Sequence, residues 1–180
     1  MLNTTLKLVI DGVMLWRNVK LASNPKSTST LLKALLNLED ATVCHSLGAN
    51  PNTPEDIVFN ILNHQYFYSS SVAKNPKIST RCVEYLLNKK YGLTDLATNQ
   101  YLTADTYAEL ATLEDVELLE NLAKNHSTPP TVLATLAESK KIDVRIQVGL
   151  NPNTNASTLR RYSIPSSLRA FDISSWGQDS

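Results

Sequence analysis

Glycine, histidine and cysteine are all scarce in this 180-residue chain, with five, three and two copies respectively. So few glycines, none grouped as a phosphate-cradling loop, exclude the nucleotide-binding signatures built on them. The histidines, His45, His64 and His126, fall at unrelated places, and no Cys/His spacing suits zinc. Cys44 and Cys82 are too few for a disulfide scaffold. They read as small buried hydrophobes in a reducing compartment, which places the chain in the cytoplasm. No alternating apolar run argues for strands.

A long uninterrupted apolar run is also missing. Leu6, Leu8, Val9, Ile10, Val13, Met14, Leu15 and Trp16 make the start apolar, but Lys7 and Asp11 interrupt it and no small-residue cleavage pattern follows. The segment is therefore read as neither a signal peptide nor a membrane span. Acidic pairs such as Glu39-Asp40, Glu55-Asp56 and Glu114-Asp115 are adjacent and so diverge on a helix. They fit helix starts or solvated faces better than acid/base catalysis. The expectation is a protein that is not an enzyme and holds no metal or cofactor.

What is present is a period. Asn24, Asn50, Asn75, Asn99, Asn125 and Asn151 follow one another at spacings of 26, 25, 24, 26 and 26 residues. Three places before each lies an aliphatic residue (Leu21, Leu47, Val72, Leu96, Leu122, Val148), and the next is small (Ala22, Gly48, Ala73, Ala97, Ala123, Gly149). Pro follows four of the six asparagines; Gln100 and His126 are the departures. A fixed period of this length marks stacked repeats, none of which can bury its apolar face alone.

Each part of the repeat has a physical reading. The small residue and Asn are expected to end a helix, with Asn in the left-handed region and Pro preventing continuation. Thr53 and Thr128, each before a Pro, are expected to cap the next helix. Beyond them come apolar sets such as Leu31, Leu32, Leu35, Leu36 and Ile57, Val58, Ile61, Leu62. Cys82, Val83, Leu86, Leu87 and Val132, Leu133, Leu136, Ala137 repeat the spacing, which lines one face of a helix. The fourth and sixth repeats are weaker, with Thr106, Tyr107, Leu110, Ala111 and Thr158, Leu159, Tyr162, Ser163. A second, short apolar piece closes each repeat, as in Val144, Ile146 and Val148. The fold class is all-α: an α-solenoid of about six 24–26-residue repeats over residues 21–170, with an N-terminal cap at 1–20 and a tail at 171–180.

Val144-Arg145-Ile146-Gln147-Val148-Gly149-Leu150-Asn151-Pro152-Asn153-Thr154, and Leu122 to Asn125 running through Thr128-Pro129 to Leu133, Leu136 and Ala137, resemble the leucine-rich repeat variant family. The resemblance implies a right-handed superhelix alternating an α-helix with a short 3₁₀-like helix, and a bacterial or bacteriophage source. A member of that family carries an N-terminal cysteine cluster for an iron-sulfur centre; no cysteine precedes Cys44 here, so that cofactor is not carried over.

Charge sums to zero but is unevenly spread. Residues 1–90 hold ten Lys/Arg against six Asp/Glu, residues 91–128 one against seven, and residues 129–180 six against four. The acidic middle argues against a continuous basic stripe for nucleic acid. Basic flanks remain at Lys74, Lys77, Arg81, Lys89 and Lys90, and at Lys140, Lys141, Arg145, Arg160 and Arg161. Eight of the twelve aromatics lie between residues 59 and 107. Tyr68 and Tyr107 fall in core phase and are expected to pack inside. Phe59 and Tyr85 fall on the outward side of their helices; with Tyr66, Tyr101 and the nearby Arg81 they make the candidate surface for a protein partner, since exposed aromatics beside Arg dominate binding energy. Nucleic-acid binding by the basic flanks is the first alternative. Self-assembly through the caps or the Trp176 tail is the second.

Overall fold

The computed structural model describes residues 3–64 and 68–161. Tyr66, Tyr162, Ser163 and the tail from 171 onward, with Trp176, lie outside the described residues. The described chain is all-helical, with twelve helices and no strand among those residues. It divides into two compact units, Met1–Tyr101 and Leu102–Ser180.

The first unit holds α1 (Asn3–Ser23), α2 (Ser29–Leu36), α3 (Ala41–Ala49), α4 (Glu55–His64), α5 (Ser69–Ala73), α6 (Thr80–Lys89) and α7 (Leu93–Leu96). Here α1 packs on α3, α3 on α5, and α5 on α7, while α4 neighbours α6. The expected boundary between cap and first repeat falls within a single unbroken helix, α1. Its later turns carry Ala22 into the core with Val19 and Leu21 against it. Val13, Met14 and Trp16 remain exposed.

The second unit holds α8 (Ala104–Leu110), α9 (Val116–Lys124), α10 (Pro130–Leu136), α11 (Ile142–Leu150) and α12 (Ala156–Arg161). Its principal packing is α9 on α11. In both units the expected apolar sets supply the core, although Leu31, Leu36 and Leu87 are only half-buried. Leu32, Leu62, Leu86, Leu110 and Leu133 are almost fully buried, and Tyr68 and Tyr107 are inside as expected. At the weaker positions Thr106 and Ala111 are half-buried.

Three local expectations are corrected. The second helical pieces are α-helical, not 3₁₀-like, and they are not always the shorter ones. The helices α9 and α11 run nine residues each against seven for α8 and α10. At α3 and α9 an N-cap aspartate stands ten places before the anchor, whereas α11 starts from Lys141 without a side-chain cap. Asp40 accepts from the Thr42 and Val43 amides at the start of α3, and Asp115 from the Leu118 amide at the start of α9. Such a cap satisfies amides that the helix itself leaves unbonded and so sets a full-length start.

The anchor asparagines are not left-handed. Asn50, Asn125 and Asn151 sit at φ −78°, −72° and −78° with ψ 122°, 117° and 125°, which is extended backbone. Their role is tertiary. Asn50 Nδ2 donates to the carbonyls of Ala22 (2.6 Å) and Asn24 (2.9 Å). Asn75 does the same to Gly48 and Asn50, Asn99 to Ala73 and Asn75, and Asn151 to Ala123 and Asn125. Each Oδ1 accepts the amide two residues on, as from Asn52, Lys77, Tyr101, Ser127 and Asn153. The side chain thus closes its own turn and satisfies the carbonyls that the preceding helix end leaves unbonded.

The Thr53 and Thr128 capping expectation is likewise replaced. Thr128 Oγ1 donates back to the Leu122 carbonyl at 2.6 Å, as Ser27 does to Leu21 and Thr154 to Val148. The buried Thr53 hydroxyl, in the same row, makes no hydrogen bond. Capping falls one residue later: Thr28, Ser79 and Thr103 accept the amides of Leu31, Cys82 and Thr106, and Pro129 takes that place before α10. A hydroxyl six residues beyond a helix carbonyl finds it sooner than it can reach forward, because the intervening Asn turn folds it back.

The small residue before the anchor also has a packing cause. A Cβ on Gly48 would stand 2.7 Å from Ser71 Oγ and 3.1 Å from a Val72 methyl. Ser71 is itself buried and donates to the Tyr68 carbonyl. The approach of α5 to α3 at this point leaves no room for a Cβ unless the Ser71 hydroxyl shifts.

Candidate functional site

Two of the expected partner-binding aromatics are brought together. Phe59 on α4 and Tyr85 on α6 meet edge to face, with ring centroids 5.5 Å apart and planes at 81°. Each is half-buried against the other and not freely exposed as the sequence suggested. The exposed Arg81, one turn earlier on α6, lays its guanidinium over Phe59 at 3.6 Å from the ring centroid. Lys89, one turn later, hangs over Tyr85 at 5.9 Å. The result is a continuous row, Arg81 on Phe59, Phe59 on Tyr85, Lys89 on Tyr85. The helix spacing explains it: Arg81, Tyr85 and Lys89 are each four residues apart and share one face of α6.

Tyr101 is the most exposed aromatic described here, at 68 %, but it belongs to a different row. It lies two residues after Asn99, in the turn position that Asn52 and Lys77 occupy after their own anchors. It makes no ring contact with the Phe59–Tyr85 pair.

The expected basic flanks are partly engaged within the protein. Lys74 pairs with Asp95 at 2.7 Å, and Lys77 reaches Asn52 Oδ1 at 3.4 Å. Arg145 donates to the Ser139 carbonyl at 2.7 Å. Lys89, Lys90, Lys140, Lys141 and Arg160 are exposed, and the Arg161 side chain lies outside the described residues.

Sequence reasoning missed two clefts that α4 borders. An open cleft of about 470 Å³ between α2 and α4 is lined by Leu36, Ile57, Asn37 and Asn60, with Lys33 and Asp56 at 3.6 Å across it. A second, of about 450 Å³, shares Leu36, Asn37 and Asn60 and reaches Glu39, Cys44 and Tyr68. Nothing in the period signals them, since they arise from the distance between two helices.

The two thiols are buried and free. Burial pushes both above the usual thiol range. The nearby Asp40 adds to this at Cys44 while its bond with Tyr68 opposes it; at Cys82 a bond with Ser79 opposes it. Burial likewise raises Tyr68 and Tyr107, and the Cys44 thiol adds to the effect at Tyr68. These are acids that favour their neutral form when folded. Their stabilisation is fully present below the pKa of the unfolded groups and is lost as pH rises past it. For thiols that window opens at about 8.5. Chemical denaturation midpoints are accordingly expected to hold constant from neutral pH to the thiol range and fall above it. Maleimide labelling is expected to be slow in the native protein and rapid in urea; equally rapid labelling in both would contradict the burial of the thiols.

No group of three or more His, Cys, Asp or Glu among the described residues is arranged to hold a metal ion, and no described helix is long and apolar enough to cross a membrane. No protein-family model, curated protein or solved structure matches the chain.

Proposed function

We propose that this chain is a non-enzymatic scaffold that binds another protein through the aromatic row of α4 and α6. The observation that carries this reading is the stacked set Arg81, Phe59, Tyr85 and Lys89 on two adjacent rigid helices. Aromatic and Arg side chains already ordered by contact with one another lose little rotamer freedom when a partner covers them. The reading also takes the chain as a right-handed α-solenoid of about six repeats, of the leucine-rich repeat variant kind. That is supported by the period and by the same asparagine bonding within each compact unit. Such an array displays side chains at regular intervals on a frame that does not reorganise.

The test is affinity capture from a lysate of the source cell, with and without nuclease. Wild type is compared with a Phe59→Ala, Tyr85→Ala double variant whose helicity and unfolding midpoint are checked first. A protein retained after nuclease treatment by the wild type and lost by the folded double variant supports the reading. Capture of nucleic acid that is indifferent to the two rings would instead favour the basic flanks. Retention of the same proteins by both forms would remove the aromatic row from consideration.

A further inference from the structure

We infer that the face of α4 and α6 takes a short extended acidic segment of its partner, with one carboxylate held by the outward edge of the Arg81 guanidinium. The inference rests on the protein-binding reading above and adds the chemistry of what is bound. Arg81 is exposed, and among the described residues it makes no ion pair, the three pairs there being Lys33–Asp56, Lys74–Asp95 and Lys124–Glu120. Its guanidinium carbon lies over the Phe59 ring, 3.6 Å from the centroid. A guanidinium stacked in this way satisfies one face with the ring and keeps its N–H edge free for a two-pronged carboxylate contact, already oriented.

The charge along residues 77–90 is mostly of the same sign. Residues 77–90 carry Lys77, Arg81, Lys89 and Lys90 against Glu84 alone. The neighbouring helix adds the acids Glu55 and Asp56, of which Asp56 faces Lys33 at 3.6 Å. The same helix α4 also borders a cleft with α2, which offers aliphatic walls from Leu36 and Ile57 and the side-chain amides of Asn37 and Asn60. Amides present both donor and acceptor and so suit an extended backbone, whose N–H and C=O alternate. The same features disfavour a nucleic-acid strand. Phe59 lies under Arg81 and meets Tyr85 at near right angles, and Tyr85 is approached by Lys89, so neither ring stands open for base stacking. Lys74, next along the basic stretch, is already taken by Asp95.

The experiment pans a random-peptide display library on the full chain, on Arg81→Ala and on the Phe59→Ala, Tyr85→Ala variant. It then measures the most enriched peptide, and a labelled oligothymidine, by fluorescence anisotropy. The expected result is enrichment of Asp and Glu on the wild type, with affinity weakened about tenfold or more by Arg81→Ala, the loss of a charge-assisted two-pronged contact. Arg81→Lys is expected to weaken it comparably, because an ammonium keeps the charge but lacks the planar fork. Because Arg81 is exposed, the unfolding midpoint of both variants is expected to stay near that of the wild type, so lost binding is not lost folding. Peptides without acidic enrichment, bound through Phe59 and Tyr85 but indifferent to Arg81, would overturn the inference and leave the protein-binding reading standing. Failure to recover any peptide that depends on this face would overturn both. Oligothymidine bound in an Arg81-dependent manner, more tightly than the peptide, would overturn the inference in favour of nucleic acid.

Discussion

Asn75→Ala is expected to cost about 3 kcal/mol of stability, an unusually large effect for one polar side chain. The side chain is buried, and it donates to the Gly48 and Asn50 carbonyls at 2.9 and 3.0 Å while accepting the Lys77 amide at 2.9 Å. Alanine removes all three bonds at once and introduces nothing that could replace them. The cost is dominated less by the bonds than by the carbonyls and amide left without a partner away from water. Asn24→Ala supplies the internal control. Asn24 is the first of the series and is exposed, and its side chain accepts only the Lys26 amide, at 2.9 Å. Its loss is expected to cost less than about 1 kcal/mol. Urea denaturation of the two variants, followed by helical circular dichroism, measures the difference. Equal losses would mean that the asparagines act through their own turns and not through the helix behind.

Leu122→Ala is expected to cost a similar amount, about 3 kcal/mol, by a different route. Leu122 is fully buried in α9, on the helix that packs against α11. Truncation removes apolar area from the core and leaves a cavity that two neighbouring helices, each fixed by its own turn, cannot close. The comparison is Leu150→Ala, at the end of α11, where the side chain is 56 % exposed. That substitution is expected to change stability by less than about 0.5 kcal/mol. Both leucines lie next to or near an anchor asparagine in sequence, so a pattern-free view of hydrophobicity ranks them alike. Thermal or urea unfolding of the pair tests whether the three-residue offset from the anchor marks the core.

Much of the fold was legible because helices leave a periodic trace. Leu32, Ile57, Ile61, Cys82, Val83, Leu86, Val132, Leu133 and Leu136 were assigned inward from spacing alone, and all are buried. A side chain that must meet the same neighbour every turn has to recur every three or four residues. Helix starts were partly legible: the acidic pairs at residues 39–40 and 114–115 contain the Asp40 and Asp115 caps. The candidate site was legible only in its members. Phase places Phe59 and Tyr85 off the apolar face, but nothing in one helix says that its ring meets the next helix's ring edge to face and is half-buried by it. Tyr101 shows the limit, since an aromatic of the same stretch falls on a turn and joins no ring pair.

The sequence by itself determined the helical class, the period, the inward positions and the scarcity of groups from which a catalytic or metal site is built. These are properties of composition and of distance along the chain, which local geometry converts directly into position around a helix. Only the tertiary structure decided what the anchor asparagines, the following hydroxyls and Gly48 are for. Each was first assigned a role within its own turn. Asn50 and Asn75 instead reach back to carbonyls 25 to 28 residues earlier, Thr128 folds back to Leu122, and Gly48 makes room for Ser71. A polar group buried by a neighbouring helix must find its partner there or pay the cost of leaving water, and which partner lies within reach is fixed by packing, about which spacing along the chain is silent.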